Sequence, residues 1–290
     1  MKRIVKSIYK IIPFKHALLK FIKTFWTPPQ YLRNGLRFNG IIKIEIDNGK
    51  FFKMSNKMYA IENEFFWLGK SNDWEKQSLR IWETLCKGKS IIFDIGANTG
   101  IYSLIAKTVN PNCQVFAFEP QPNINRSLNE NNQLNKLNIT CEKVALSDTN
   151  GTASFFNYGD AAFTGNTTAG SLNKLHRPED QHSIDVECQT LATYIEKNNL
   201  SKIELMKIDV ETHEIEVING MGKYLEQFKP IILIEIIDDK IGDYVFEKFS
   251  KLSYKFYYID DIKGMSSTVN NLKHREYNNY ILSPFELPFL

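Results

Sequence analysis

One stretch of the sequence decides the fold of this chain: Ser90-Ile91-Ile92-Phe93-Asp94-Ile95-Gly96-Ala97-Asn98-Thr99-Gly100-Ile101-Tyr102-Ser103. A short apolar run that carries Asp94 near its end is followed by a turn of small residues and then by a segment with helical character. This order is typical of the first strand, loop and helix of a parallel α/β sheet, which binds nucleotide-like ligands at the loop. We therefore expect a ligand site at this turn.

A second acid follows at the end of the next apolar run, Val115-Phe116-Ala117-Phe118-Glu119-Pro120. Glu119 lies 25 residues after Asp94, where a carboxylate can accept hydrogen bonds from two ribose hydroxyls. A glutamate at a strand end can also be a solvated loop charge. The apolar run before Glu119 and the proline after it favour a fixed position in a ligand site.

The third strand is predicted to end at Val144-Ala145-Leu146-Ser147-Asp148. Ala145 and Leu146 are small or apolar and suit the flat edge of an adenine, although both are also ordinary core residues. No charged side chain of this segment is needed for that contact, because main-chain atoms can bind the base edge.

Titratable side chains crowd the end of the fourth strand, Met206-Lys207-Ile208-Asp209-Val210-Glu211-Thr212-His213-Glu214. The carboxyl ends of parallel strands are where such sheets bind ligands. Asp209 is expected to face the ligand, and His213 has the unperturbed pKa of a general base. It can equally be a capping or surface residue. Glu211 and Glu214 begin a helix, whose dipole also favours acids, and for Glu214 we prefer that explanation.

These features together predict S-adenosylmethionine as the ligand and methyl transfer as the reaction. Glycines at 96 and 100 allow a close approach of the backbone, and Asp94 can receive the cationic amino group of a methionine moiety. The dinucleotide fingerprint GxGxxG is not met, because Asn98 stands in place of its second glycine. That substitution argues against a pyrophosphate at this turn.

The chain resembles the FkbM family of S-adenosylmethionine-dependent methyltransferases over roughly residues 74–237. The resemblance rests on Trp74-Glu75, Phe93-Asp94-Ile95-Gly96-Ala97-Asn98-Thr99-Gly100, Ala117-Phe118-Glu119-Pro120-Gln121-Pro122, Val144-Ala145-Leu146-Ser147-Asp148 and Lys207-Ile208-Asp209-Val210-Glu211. Thr212 departs from the pattern, since the family usually has glycine there. The resemblance implies O-methylation, often of sugars or secondary metabolites, and residues 164–171 are similar to its Gly/Ser/Thr-rich segment near the acceptor.

The candidate site residues follow from the motifs and the resemblance together. The expected catalytic residues are Asp209, Glu211 and His213. The residues expected to bind the cofactor are Asp94, Gly96, Asn98, Gly100, Glu119, Pro120, Ala145, Leu146 and Asp209. No metal is expected, because Asp209, Glu211 and Glu235 lack a ligand-spacing signal. The expected acceptor is a hydroxyl of a carbohydrate, glycolipid or secondary metabolite.

Three other functions remain as alternatives. A non-catalytic module could bind S-adenosylmethionine without turnover. A nicotinamide-dependent oxidoreductase would use the same turn and Glu119, but the missing central glycine disfavours it. A nucleotide-sugar glycosyltransferase should carry a metal-binding Asp-x-Asp, which Asp238-Asp239 does not match.

The apolar runs alternate with helical segments from residue 90 onward, which predicts a Rossmann-like, doubly wound, mostly parallel α/β sheet. Strands are expected at 90–95, 114–119, 139–144, 204–209 and 231–236, with two more at 255–259 and 277–282. Helices are expected at 71–86, 100–108, 123–135, 191–198, 213–227 and 241–251. We expect a basic helix and β-hairpin extension over residues 1–60, with a turn at Asp47-Asn48-Gly49. The methyltransferase domain then covers 61–290, with an insertion at about 147–190.

Composition excludes several classes of protein. The chain has 290 residues and 43% hydrophobic residues, which is ordinary for a globular protein. Residues 1–44 hold ten Lys or Arg and no acid, whereas the remainder holds 26 bases and 33 acids, which argues against nucleic-acid binding. Four scattered cysteines indicate neither a zinc site nor a disulfide framework. No apolar run reaches transmembrane length, and a cytoplasmic location is expected.

Residues 1–27 read as a basic, amphipathic segment. Apolar residues recur at helical spacing, interrupted by Pro13, and lysines and arginines occupy the other face. The segment can lie on an anionic membrane, at the inner face in this case. It can equally pack on the catalytic domain with its lysines in solvent. The sequence leaves both interpretations open.

Overall fold

The computed structural model describes residues 14–46, 49–69, 74–158, 170–173, 181–261 and 265–288. The predictions for residues 1–13, for Asp47 and Asn48 of the hairpin turn and for 164–169 of the polar segment lie outside these ranges. Within the described ranges, no helix combines the length and the apolar character that crossing a lipid bilayer requires.

The helices and strands are numbered here in chain order over the described residues. The helices are α1 (Lys15–Phe25), α2 (Gln30–Arg33), α3 (Ala60–Leu68), α4 (Lys76–Leu85), α5 (Ile101–Val109), α6 (Pro122–Asn135), α7 (Leu191–Lys197), α8 (Glu214–Gly220), α9 (Tyr224–Phe228) and α10 (Asp239–Ser250). The strands are β1 (Asn39–Glu45), β2 (Phe51–Lys57), β3 (Ile91–Ile95), β4 (Gln114–Phe118), β5 (Thr140–Glu142), β6 (Ala145–Ser147), β7 (Gly151–Tyr158), β8 (Gly170–Ser171), β9 (Gln181–Thr190), β10 (Leu205–Ile208), β11 (Ile231–Glu235), β12 (Lys255–Asp260), β13 (Met265–Thr268) and β14 (Asn279–Ser283).

The main sheet has the order β13-β12-β14-β11-β10-β3-β4-β5. Strands β11, β10, β3, β4 and β5 run parallel, and β14 is antiparallel to both β11 and β12. Every residue of β3 and β10 is buried, because helices cover both faces of a parallel sheet. The predicted Rossmann-like, mostly parallel sheet is therefore confirmed.

The two faces of the sheet carry two separate apolar layers. Side chains from α3, α4 and α5 pack on one face around Trp82, whose indole N–H donates to the Tyr102 carbonyl at 2.9 Å. Side chains from α7, α8, α9 and α10 pack on the other face around Phe249. Alternating residues of one strand therefore face different layers. On β10, Leu205 and Met206 belong to opposite faces, and Lys207 returns to the face of Leu205.

A second sheet corrects the prediction for the third strand. The expected strand over 139–144 is only Thr140–Glu142 in the structure, and Ala145–Ser147 leaves the main sheet as β6. This second sheet has the order β6-β9-β7-β8. The insertion predicted at about 147–190 supplies β7 and β9, which pair antiparallel from Gly151↔Cys188 to Tyr158↔Gln181. The predicted helix over 213–227 is also divided into α8 and α9, because the chain turns between them at Gly222, whose φ is 53°.

The N-terminal helix and hairpin are packed on the sheet domain. Strands β1 and β2 pair antiparallel, as predicted from the turn signal. The Ser55 N–H donates to Asn131 Oδ1 at 2.8 Å, and the Lys53 N–H donates to Asn135 Oδ1 at 2.7 Å. These bonds tie the exposed edge of β2 to α6. Buried side chains of both segments join the layer around Trp82.

Candidate active site

The turn after β3 is shaped by close approach to the rest of the protein. Gly96 has a φ of 77°, and a Cβ there would lie 1.7 Å from the Asp209 carbonyl oxygen. The N–H groups of Gly96 and Ala97 donate to the Phe118 carbonyl at 3.0 and 2.9 Å. We expected the backbone at Gly96 to lie close to a ligand, but in the structure it lies against the loop after β10. It holds the ends of β3, β4 and β10 together.

Asn98 and Gly100 complete this turn in different ways. Asn98 has a φ of 52°, in the left-handed region that asparagine tolerates, and its Oδ1 accepts from the Thr99 N–H at 2.8 Å. Gly100 has a φ of 99°, and a Cβ there would lie 2.5 Å from Leu128 Cδ1. Gly100 packs on α6, and it is absent from the lining of the cleft described below.

Glu119 is fixed by the backbone of two loops. Its Oε2 accepts from the Asn98 N–H at 3.1 Å, and its Oε1 accepts from the Gln121 N–H at 2.9 Å. Burial raises the pKa of this carboxyl to about 7, although both backbone bonds oppose the rise. Each carboxylate oxygen has a second lone pair, so the side chain can still accept hydrogen bonds from a ligand.

Lys207 and Asp209 form an ion pair at the end of β10, in which the lysine is buried and the Asp209 side chain is 27% exposed. Lys207 Nζ lies 2.6 Å from Asp209 Oδ2, and the lysine side chain is 3% exposed. The ammonium group also lies 4.5 Å from the centroid of the Tyr102 ring. Burial alone would lower the pKa of Lys207, but the carboxylates of Asp209 and Glu75 raise it above its usual value. Lys207 therefore stays charged.

Asp94 and Glu75 lie on the same side of the sheet as this pair. Asp94 is the register partner of Lys207 on β3, and its Oδ2 accepts from the Ser103 hydroxyl at 2.6 Å. The Tyr102 hydroxyl donates to the Glu75 carboxylate. Burial raises the pKa of Asp94, and it raises that of Glu75 to about 7, while Lys207 opposes both shifts.

Glu235 adds another carboxyl at the end of β11. Its pKa is raised well above the usual value by burial and then by the charge of Asp209. The sheet edge thus holds one buried ammonium among several carboxyls. Sequence reasoning assigned no role to Lys207 or Glu75. The available signal was a lysine inside the otherwise apolar strand Leu205-Met206-Lys207-Ile208.

The loop after β10 has an unusual backbone. Glu211 and Thr212 have φ values of 54° and 74°. Thr212, where the resemblance implied a glycine, therefore holds a conformation that favours glycine. The Glu211 carbonyl accepts from the Ser171 hydroxyl at 2.5 Å, and Thr212 Oγ1 accepts from Asn173 Nδ2 at 2.9 Å. The insertion therefore holds this loop in place.

His213 and Glu214 lie where this loop enters α8. His213 Nε2 is 3.0 Å from Ser147 Oγ, and its Nδ1 is 3.4 Å from Glu216 Oε2. Burial lowers the pKa of His213, which favours the neutral imidazole. The buried Glu214 accepts from the Val210 N–H at 3.2 Å, and burial raises its pKa to about 8. Glu214, in the first turn of α8, therefore holds the loop after β10 through a hydrogen bond to its backbone.

One cleft brings nearly all of the predicted residues together. Its lining includes the predicted residues Asp94, Gly96, Asn98, Glu119, Pro120, Ala145, Leu146, Asp209, Glu211 and His213. It also includes Ile61, Trp74, Glu75, Tyr102, Phe155, Leu172, Lys207 and Glu235, which were not predicted as site residues. The additional apolar residues come from the segments around α3 and α4 and from the second sheet. These segments form walls beside the strand ends.

Asp261 positions the wall that carries Trp74 and Glu75. Its Oδ1 accepts from the N–H groups of Gln77 and Ser78 at 2.7 and 2.8 Å. A carboxylate at this place satisfies the free N–H groups of the first turn of α4. The residue after β12 therefore fixes a helix that is distant in sequence but borders the cleft.

Comparison with known proteins agrees with this geometry. The chain is 26% identical over 162 residues to hexuronic acid methyltransferase AglP of Haloferax volcanii, covering 56% of this chain and 62% of that protein. It is 27% identical to 31-O-demethyl-FK506 methyltransferase FkbM of Streptomyces tacrolimicus, covering 45% of this chain and 59% of that protein. It is 32% identical to 2-O-methyltransferase NoeI of Sinorhizobium fredii, covering 46% and 58%. The alignments thus span less than two thirds of each of these relatives.

The methyltransferase FkbM domain model matches residues 94–260. The match begins at the acid of β3 and ends with β12, so it contains the parallel core of the sheet and the strand ends that carry Glu119 and Asp209. It covers more than half of the sequence, and the chain therefore belongs to the FkbM family of methyltransferases.

Proposed function

We propose that this protein transfers the methyl group of S-adenosylmethionine to a hydroxyl of a carbohydrate, glycolipid or secondary-metabolite acceptor. One observation carries the proposal. Glu119 directly follows β4 and Asp209 directly follows β10, and these two strands flank β3 in the sheet. Both side chains line the same cleft. This arrangement offers a ribose contact on one side of the turn and a charged contact on the other.

The described residues fit the proposed cofactor chemically. Glu119 is the expected partner of the ribose hydroxyls, because its oxygens are oriented by backbone N–H groups and retain lone pairs. Ala145 and Leu146 are buried and line the same cleft, as an adenine contact requires. Asp94 is the expected partner of the methionine amino group. The prevalence of carboxyls in the lining favours a ligand that carries positive charge.

The chemistry assigned to the chain is positioning and proton removal. The bound cofactor supplies an electrophilic methyl group, so the protein needs mainly to orient the acceptor and exclude water. His213 is the proposed general base, since burial favours its neutral form and Nε2 faces the Ser147 hydroxyl rather than a carboxylate. Asp209 and Glu211 remain candidates for orienting the acceptor hydroxyl.

The names of the relatives support oxygen as the accepting atom. Two of them are described as an O-methyltransferase or as acting on an O-demethyl compound, and one is described as acting on a hexuronic acid. The apolar side chains of Trp74, Phe155 and Leu172 in the cleft walls are suited to pack on a sugar ring or on another apolar acceptor surface.

Calorimetric titration with S-adenosylhomocysteine tests the cofactor assignment. We expect micromolar binding by the wild type and at least a tenfold loss in Glu119→Gln, which corresponds to about 1.4 kcal/mol or more. Glu142→Gln is the matched control, because Glu142 ends the neighbouring strand β5 and accepts from the Tyr194 hydroxyl at 2.9 Å. Binding of NAD alone, or no binding by the wild type, would contradict the proposal.

Transfer of an isotope-labelled methyl group to a panel of sugars and hydroxylated metabolites tests the acceptor. Labelled product that survives mild alkali is an ether and supports O-methylation of a hydroxyl. Label released by alkali indicates a methyl ester and contradicts that part of the proposal. Tight cofactor binding with no transfer across the panel favours the non-catalytic binding module.

A further inference from the structure

Helix α1 has one face that packs on the protein. Leu19 is fully buried in the layer around Trp82. The His16 ring stacks on Phe38 with centroids 4.7 Å apart, and Lys23 Nζ donates to the Phe66 carbonyl. These contacts hold α1 against β1 and α3. The interpretation that this segment packs on the catalytic domain is therefore correct for this face.

The opposite face of α1 exposes large apolar side chains. Phe14, Leu18, Phe21 and Phe25, here called the aromatic stripe, recur at the spacing of one helix face. Phe14, Phe21 and Phe25 are 86%, 65% and 77% exposed. Seven of the eleven exposed large apolar side chains of the described residues lie between positions 14 and 32. The exposure is thus concentrated in one patch, which is the pattern of an interaction site.

The charge around the stripe indicates what covers it. Residues 14–44 contain six Lys or Arg and no acid. Around the helix axis, Lys15 and Lys20 fall between the aromatic stripe and the buried face, one on each side. Lysines at such positions can extend toward headgroups while the apolar side chains enter the acyl region. Trp26, also exposed, follows directly, and tryptophan favours the membrane interface.

We propose that the aromatic stripe docks on the surface of an anionic lipid bilayer. In this arrangement α1 lies in the membrane interface, and its buried face keeps it attached to the hairpin and the sheet domain. Its 11 residues span about 16 Å at 1.5 Å per residue, too short to cross a bilayer. An anionic surface attracts the basic segment. It would repel the remainder of the chain, because residues 45–290 are acidic overall.

Vesicle sedimentation of the full chain tests this proposal. We expect binding to vesicles of phosphatidylcholine and phosphatidylglycerol, and much weaker binding to phosphatidylcholine alone, with loss of binding at high salt. Phe21→Ser with Phe25→Ser should weaken binding at least about tenfold, because two buried phenyl groups are lost from the bilayer. Lys15→Gln with Lys20→Gln should weaken binding to anionic vesicles only.

Phe285→Ser is the matched control, since Phe285 is 52% exposed on a segment distant in sequence, and it should leave vesicle binding unchanged. Affinity for S-adenosylhomocysteine should be the same in all variants, so failure of this proposal is separate from failure of the proposed function. Absence of wild-type binding to anionic vesicles would overturn the proposal. A wild-type dimer that becomes monomeric in the Phe21/Phe25 variant, without a change in vesicle binding, would show that a second copy covers the stripe instead.

Discussion

Lys207→Met removes the one Lys or Arg among the described residues that line the cleft. Lys207 Nζ lies 2.6 Å from Asp209 Oδ2, and the side chain is 3% exposed. Methionine keeps most of the length of the side chain, one heavy atom shorter, but removes its charge. Asp209, Asp94 and Glu75 then lose the cation that lowers the free energy of their ionised forms.

The loss of unfolding free energy expected for Lys207→Met depends on pH. Removing one partner of a fully buried ion pair costs about 3–5 kcal/mol of the free energy of unfolding. We take the lower end of this range, because the Asp209 side chain is 27% exposed. The variant can reduce this cost by binding a proton, because burial already raises the pKa of Glu75 to about 7 and Lys207 opposes that rise. A carboxyl with a raised folded-state pKa stabilises the fold below its unfolded pKa and loses that contribution as pH rises.

One additional bound proton changes the difference in stability by about 1.4 kcal/mol per pH unit. The wild-type Glu75 is itself mostly protonated below pH 7, so this difference accumulates only above that pH. We therefore expect Lys207→Met to cost about 3 kcal/mol at pH 8 and about 1.5–2 kcal/mol at pH 6. Urea denaturation at both pH values measures this difference. If the single variant does not fold at pH 8, Lys207→Met with Asp209→Asn should restore folding, because it removes both charges of the pair.

Lys202→Met is the control for losing a lysine that is not buried. Its ammonium group lies 3.3 Å from Glu204 Oε2, and half of the side chain is exposed, so the expected cost is below about 1 kcal/mol. A cost for Lys207→Met that is equal at pH 6 and pH 8, or below about 1 kcal/mol at pH 8, would refute the reasoning.

Two further predictions concern the turn after β3 and Glu119. Gly96→Ala should cost at least about 3 kcal/mol in urea denaturation and Gly88→Ala only about 1 kcal/mol. Both glycines have positive φ, 77° and 73°, but only the new Cβ at 96 meets another atom, the Asp209 carbonyl oxygen. Equal costs for the two variants would argue against the close approach of Gly96 to Asp209. Burial raises the pKa of Glu119 to about 7, and the ionised form is the one that accepts ribose hydroxyls. The dissociation constant for S-adenosylhomocysteine should therefore rise about tenfold from pH 8 to pH 6, whereas a pH-independent constant in that range would contradict the assigned contact.

The parallel core was the most predictable part of the fold. The runs at 90–95, 204–209 and 231–236 carry apolar residues on both faces, because helices cover both faces of these strands. The second sheet was not predicted, since its strands have one exposed face and little apolar character. The division between α8 and α9 was also missed, because the apolar spacing continues across a turn that tertiary packing imposes.

The candidate site was predictable to a similar extent. Acids at strand ends can be located from the sequence because each follows an apolar run, and parallel strands bring their carboxyl ends to one edge. Among the predicted site residues, Gly100 alone does not line the cleft. A Cβ at this position would meet Leu128, so packing against α6 explains the glycine. The role of Lys207 could not be predicted, since an isolated lysine in a strand does not show which carboxyls will surround it.

The sequence by itself determined the alternation of strands and helices in the parallel core, the family, and the strand ends that carry Asp94, Glu119 and Asp209. These are local properties, set by apolar runs, turns and the position of acids relative to them. Only the tertiary structure brought Glu75, Tyr102 and Lys207 together and turned the phenyl groups of α1 toward solvent. Burial and the distance between charges decide the protonation of a carboxyl or lysine, and both depend on segments that meet only in the folded chain.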